Sequence, residues 1–219
     1  HEVLDVSDRV AVLRKGEYIG DVLTKDADQQ SLTDMMVGHS VALNINRPTP
    51  VNVKPRLKVE GLTVYDELGV KRLDNVTFDM NAGEVLGIAG LDGSGRTEVL
   101  ENLFGAMTKA SGSIRLHGKA IRNRTPQESI KNGFALLTEE RRATGIFGIR
   151  DIRENTVISN LRSYLMGGIC LSERKMRQDT DWAIQAMHIK TPGQSTQIRS
   201  LSGGNQQKVI IGRWLLTEP

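Results

Sequence analysis

The chain has 219 residues, a net charge of +3, 38% hydrophobic and 25% charged residues. That composition suits one large or two modest globular domains and holds no long basic tract dedicated to nucleic acid. Cys170 stands alone, which excludes an internal disulfide and is compatible with a reducing compartment. No apolar run approaches the ~20 residues that a membrane-spanning helix needs.

In chain order, residues 9–22 (RVAVLRKGEYIGDV) read as two short strands about a Lys15-Gly16 turn. A helix is predicted over 31–37. Pro48, Pro50 and Pro55 then fall among polar residues. Proline fixes φ and removes a donor, so an extended linker is expected, with the main domain starting near Leu57. Residues 73–80 alternate in part through Val76, Phe78 and Met80. VLGIA (85–89) is a short apolar run between Gly83 and Gly90, which predicts a fully buried strand. Residues 96–104 place Val99, Leu100, Leu103 and Phe104 at helical spacing. FALLT (134–138) is expected to be a second central strand. Residues 152–190 read as mainly helical, with Trp182, Ala183, Ala186 and Met187 on one face, hence a helical insert.

GLDGSGRT (90–97) fits the phosphate-loop pattern G-x-x-x-x-G-K-[ST] at Gly90, Gly95 and Thr97, with Arg96 in place of the lysine. In such a loop, backbone N–H groups and the positive end of the following helix surround a phosphate. Gly90, Gly93 and Gly95 allow the close approach, Asp92 and Ser94 complete the turn, and Thr97 would offer its hydroxyl to Mg²⁺. Arg96 keeps the charge but presents a planar fork. Phosphate binding tolerates that change better than transition-state positioning does. The bland alternative is a glycine turn with no ligand.

LSGGNQQKVIIGRW (201–214) resembles the signature segment of ABC transporter ATPases, usually LSGGQ. Together with GIAGLDGSGRTEVLENLFG and TEERRATG it looks like the second cassette of bacterial monosaccharide importers of the ribose and galactose/methyl-galactoside type. The resemblance covers residues 57–219 and extends to residues 1–38, where DRVAVLRKGEYIG resembles the last strands of a first cassette. It implies an α/β P-loop NTPase fold: an ABC-type nucleotide-binding domain with an antiparallel β subdomain and a helical insert, truncated before Walker B. The expected division is the end of the first cassette (1–38), a proline-rich linker (39–56) and an incomplete second cassette (57–219).

The resemblance also assigns roles. Leu201, Ser202, Gly203, Gly204 and Asn205 would receive the phosphate of an ATP held by the first cassette of the same polypeptide. Glu139 takes the Q-loop position, near the metal and the membrane partner, unless this is only a solvated charged turn. Tyr65 either stacks on adenine or is an ordinary tyrosine. His39, His117 and His188 are expected at the surface. The implied cofactors are ATP and Mg²⁺, and the implied partners are membrane permease subunits and, through them, a sugar-binding protein, with no nucleic acid. The location would be peripheral, on the cytoplasmic face of the bacterial inner membrane. The Walker B acids and second switch histidine are not in the chain, so no catalytic residue is assigned and the chain alone is expected to be inactive. Two other readings stay open: a non-hydrolysing nucleotide-binding or regulatory module, and a soluble tandem ABC protein acting on ribosomes or DNA.

Overall fold

The computed structural model describes residues 2–40, 53–66, 68–107 and 109–219. They form two compact units, His1–Val51 and Asn52–Pro219. Most of the expected linker, including Pro48 and Pro50, lies outside the described residues.

In the first unit, helix α1 (Glu2–Val6) precedes an antiparallel hairpin of β1 (Arg9–Arg14) and β2 (Glu17–Leu23). Lys15 and Gly16 have φ of 53° and 87°, the paired left-handed conformation that matches a tight hairpin's twist. Helix α2 (Gln29–Val37) starts at a reciprocal Asp28–Ser31 capping box and stops at Gly38, whose φ is 88°. The hairpin and helix follow the sequence expectation.

The second unit is built on an antiparallel sheet in the order β4-β3-β5-β6, comprising β3 (Pro55–Tyr65), β4 (Lys71–Asn81), β5 (Lys109–Leu116) and β6 (Lys119–Ile121). Strand β3 buries Leu57 and Val59, then switches parity to bury Leu62 and Val64. The switch is a bulge at Gly61, whose φ is 63°. Gly112 on β5 sits directly across it with φ 101°, and a Cβ there would fall 2.7 Å from the Gly61 carbonyl oxygen. A Gly112→Ala change should therefore lower unfolding free energy by about 2–3 kcal/mol through strain and overlap, read by urea denaturation. A loss below about 0.5 kcal/mol would show that the bulge relaxes freely.

Helix α3 (Arg96–Leu103) packs on this sheet through Val99 and Leu103. Its end is tied down by Asn123, which donates to the Leu103 carbonyl at 2.6 Å, and by Ser129 of α4 (Pro126–Lys131), which donates to Phe104 at 2.7 Å. Beyond this lie α5 (Ile152–Val157), a 3₁₀ segment, a small hairpin of β7 (Leu165–Met166) and β8 (Cys170–Leu171), α6 (Glu173–Ala186) and α7 (Gly203–Leu215). Ile152, Ile189, Ile198 and Val209 form their core. The helical insert is present, interrupted by a hairpin turning at Gly167-Gly168. Ala183 is buried, but Trp182 is 46% exposed, so it does not share the packed face expected of it.

The two expected central strands are not strands. Residues 85–89 and 134–138 have no ladder partner among the described residues. Val85 is 73% and Leu137 52% exposed. A strand exists only through its neighbours' N–H and C=O groups, and the strands of this sheet lie elsewhere. The expected burial is not observed either: Val85, Leu86, Ile88 and Leu137 are all exposed.

Candidate functional site

The glycine loop leads straight into α3. Gly95 caps that helix with φ 93° and is buried, because a Cβ would fall 2.7 Å from Leu73 Cδ2 and 3.2 Å from the Arg72 carbonyl oxygen. Only glycine satisfies both demands. Within the loop, Ser94 N–H donates to the Leu91 carbonyl at 3.1 Å, and Gly93 N–H donates to Asp92 Oδ1 at 3.0 Å. Gly93 is left-handed at φ 74°, with open space where a side chain would stand. A Cβ at Gly90 would collide with the Ser94 hydroxyl. Asp92, Ser94, Arg96 and Thr97 are exposed, so the residues that open α3 are accessible to a ligand.

Thr97 and Glu139 meet despite their separation in sequence. The Thr97 hydroxyl donates to Glu139 Oε2 at a long 3.5 Å. Both line a cleft of about 750 Å³ together with Arg96, Glu101 and Glu140. The unpaired runs supply its apolar walls through Leu86, Ile88, Leu136 and Leu137. A hydroxyl beside a carboxylate is a hard-oxygen donor pair, the chemistry Mg²⁺ prefers. The volume is within the range of small-molecule sites. Tyr65, the 45% exposed last residue of β3, pairs with Lys71 at the start of β4. Arg72, the next residue, touches Gly95, so the strand end carrying Tyr65 lies on the glycine-loop side of the sheet.

Residues 201–205 form a separate surface, and none of them lines that cleft. Ser202 is the N-cap of α7 but makes no side-chain cap bond. Asn205 Nδ2 donates to Ser202 Oγ at 3.0 Å, while Asn205 Oδ1 accepts from Lys190 N–H at 3.0 Å. The Ser202 oxygen is thus held as an acceptor, which leaves its O–H available as a donor on an exposed residue. Asn205 is a positioning residue, turned toward the protein. Gly204 faces open space, and Gly203 is half-buried.

Sequence reasoning missed the contacts that hold these parts. Arg141, in a single π turn after Glu139, donates from Nε to Gln206 Oε1 at 3.2 Å. Buried Gln206 donates to the Ile198 and Leu201 carbonyls at 3.2 and 3.1 Å. Arg213, 6% exposed, donates to the Asn155 carbonyl at 2.6 Å and the Gly145 carbonyl at 2.8 Å. Burial lowers its guanidinium to about 10, so it remains charged at neutral pH. His39, His117 and His188 are exposed, as expected, and among the described residues no His/Cys/Asp/Glu cluster could hold a metal by itself.

A profile of the ABC transporter family matches residues 73–219, more than half of the chain. The chain belongs to the ABC transporter family. It is 45% identical over 218 residues to the galactose/methyl galactoside import ATP-binding protein of Haemophilus influenzae, and 48% identical over 221 residues to that of Salmonella typhimurium. In each alignment all of this chain is covered, and it spans 42% of the relative's length. Among solved structures, a nucleotide-free ATP-binding cassette from an ABC transporter aligns with 76% of the chain and 66% of its own length. The TM-score is 0.62 at 23% identity. A cassette in its ADP conformation gives 0.58 at 22% identity, covering 76% of this chain and 66% of that one. The likeness supports the cassette fold expected from the motifs. Among the described residues no helix is long and apolar enough to cross a membrane.

Proposed function

We propose that the chain is part of the ATP-binding subunit of an ABC importer, coupling ATP binding and hydrolysis to uptake of a monosaccharide. In this reading residues 57–219 belong to a second cassette and residues 1–38 to the end of a first. The carrying observation is the pairing of Thr97 with Glu139 beside an open glycine loop, in a chain that also carries the exposed Ser202 hydroxyl. The identity to galactose and methyl galactoside import proteins supports the substrate class. The partners would be membrane permease subunits and a sugar-binding protein, on the cytoplasmic face of the inner membrane.

Each part has a distinct task. The loop N–H groups and the N-terminus of α3 would bind the phosphates of one ATP, and Thr97 with Glu139 would hold Mg²⁺. The bound ion would neutralise phosphate charge. Arg96 would bind phosphate oxygens with a fork whose geometry differs from that of a lysine ammonium. Ser202, Gly203 and Gly204 would serve the ATP bound by the first cassette. That division makes 90–97 a binding and coupling site and places turnover at the opposite one. A nucleotide-binding module without turnover is the second reading, favoured by Arg96. The reconstituted full-length transporter decides between them: sugar-stimulated ATP hydrolysis supports the importer, and its absence supports the module.

Two results are expected of the chain itself. Purified chain should release no phosphate from ATP above background, because positioned metal and water both matter to phosphoryl transfer. Steady release that Arg96→Ala abolishes would contradict this. Isothermal titration with Mg-ATP should show weak binding that is lost on Gly93→Val, since a side chain would crowd the phosphate path. Submicromolar affinity would mean that one half-site suffices.

A further inference from the structure

Arg141 ties the segment that follows Glu139 to the glycine surface at 203. It lies two residues beyond Glu139, and its Nε donates to Gln206 Oε1 at 3.2 Å. The amide nitrogen of Gln206 holds the carbonyls of Ile198 and Leu201, the backbone that leads into Ser202 and Gly203. The same guanidinium lies over Gly203: a Cβ on that residue would fall 2.9 Å from Nη2 and 3.3 Å from Cζ. Among the described residues no carboxylate is within ion-pair distance of Arg141. Its placement therefore rests on Gln206 and the glycine surface, without help from a counter-charge. A second tie acts at the other end of the turn, where Arg213 of α7 holds the Gly145 carbonyl at 2.8 Å. The segment after Glu139 is thus fastened to α7 at both ends.

We propose that Arg141 is a positioning residue that joins the Glu139 loop to the glycine surface at 202–204. Acting through Gln206, it sets the backbone of residues 198–203. A displacement of Glu139, which touches Thr97 at one nucleotide site, is then carried to Ser202 and Gly203, which serve the other. The catalytic consequence rests on the function proposed above; the mechanical link does not. Glycine at 203 has a reason of its own in this arrangement, because it leaves room for the guanidinium that orders the loop.

The test pairs Arg141→Met with Arg142→Met, which removes the same charge from an exposed neighbour. In the chain itself, hydrogen exchange should quicken at least about tenfold for amides in 201–206 with Arg141→Met, as expected for loss of a charge-assisted hydrogen bond. The Arg142→Met exchange should stay at wild-type values, and the melting temperature of Arg141→Met should fall by only a few degrees, the scale of one part-buried hydrogen bond. Unchanged exchange at 201–206, or equal effects of the two variants, overturns the link. In the full-length ATPase, Arg141→Met should lower kcat by between about 10-fold and 100-fold, a misplacement effect, with KM for ATP within about twofold. Ser202→Arg serves as the reference variant. If it abolishes turnover while Arg141→Met leaves kcat intact, the coupling role is overturned and the functional reading stands. If Ser202→Arg is harmless, the functional reading fails, and the exchange result on the chain alone still decides the link.

Discussion

Gly203→Asp should reduce ATP hydrolysis by the full-length transporter at least about 100-fold, the usual scale for losing a positioning or charge-stabilising contact. Position 203 opens α7, so the new carboxylate would stand at the positive end of the helix. It would also lie against the Arg141 guanidinium, whose Nη2 is 2.9 Å from the Cβ position. The aspartate would push the flexible end of Arg141 aside, but its charge is favoured at a helix N-terminus and can pair with the displaced guanidinium. On the proposed function it would occupy the phosphate position and repel the incoming anion. Protein level and melting temperature should therefore stay near wild type while turnover disappears, as measured by phosphate release from reconstituted transporter. Ser202→Arg should have a comparable effect by bulk. Activity within about threefold of wild type would show that this surface does not approach a reacting phosphate.

Arg213→Met should destabilise the chain by about 3–5 kcal/mol, the cost typical of orphaning buried polar partners. Arg213 is 6% exposed and donates to the Asn155 and Gly145 carbonyls at 2.6 and 2.8 Å, with a longer contact to Asn155 Oδ1 at 3.3 Å. Methionine fills similar space but donates nothing, so those oxygens would be left dry and unpaired. Asn155 is itself committed elsewhere, donating to the Phe147 and Asp151 carbonyls at 3.1 and 2.9 Å and accepting from Phe147 N–H at 2.9 Å. It has no spare donor with which to compensate. Urea denaturation followed by circular dichroism would read the loss. A change below about 1 kcal/mol would mean that water enters and replaces the guanidinium.

Local chemistry was legible where the physics is local. The Lys15-Gly16 turn, the strand through 73–80, the helix starting at Arg96 and the glycine loop before it all follow from nearby residues. The family was legible in another way, through the resemblance that the phosphate loop and LSGGN carry together. The unpaired runs at 85–89 and 134–138 were misjudged because apolarity reports a wish for burial, while a ladder needs a neighbouring chain. Trp182 was misplaced because helical periodicity leaves its phase uncertain at a face edge. Nothing in the sequence marked Gly61 and Gly112, and only their apposition reveals the bulge.

The side chains that hold the site together left no local trace. Arg141 meets Gln206 across 65 residues, and Arg213 meets Gly145 across 68. A buried arginine late in an amphipathic helix was the available hint, since Arg213 follows Val209 and Ile210 on the packed side of α7.

The central claim is an asymmetry: residues 202–204 serve a competent ATP site, and Arg96 serves a degenerate one. Steady-state ATPase of reconstituted full-length transporter, with Arg96→Ala and Gly203→Asp compared at equal protein level and assembly, tests it most directly. The account predicts that Arg96→Ala retains most of the wild-type rate, within about fivefold, while Gly203→Asp loses at least about 100-fold. Equal damage from the two variants would contradict it.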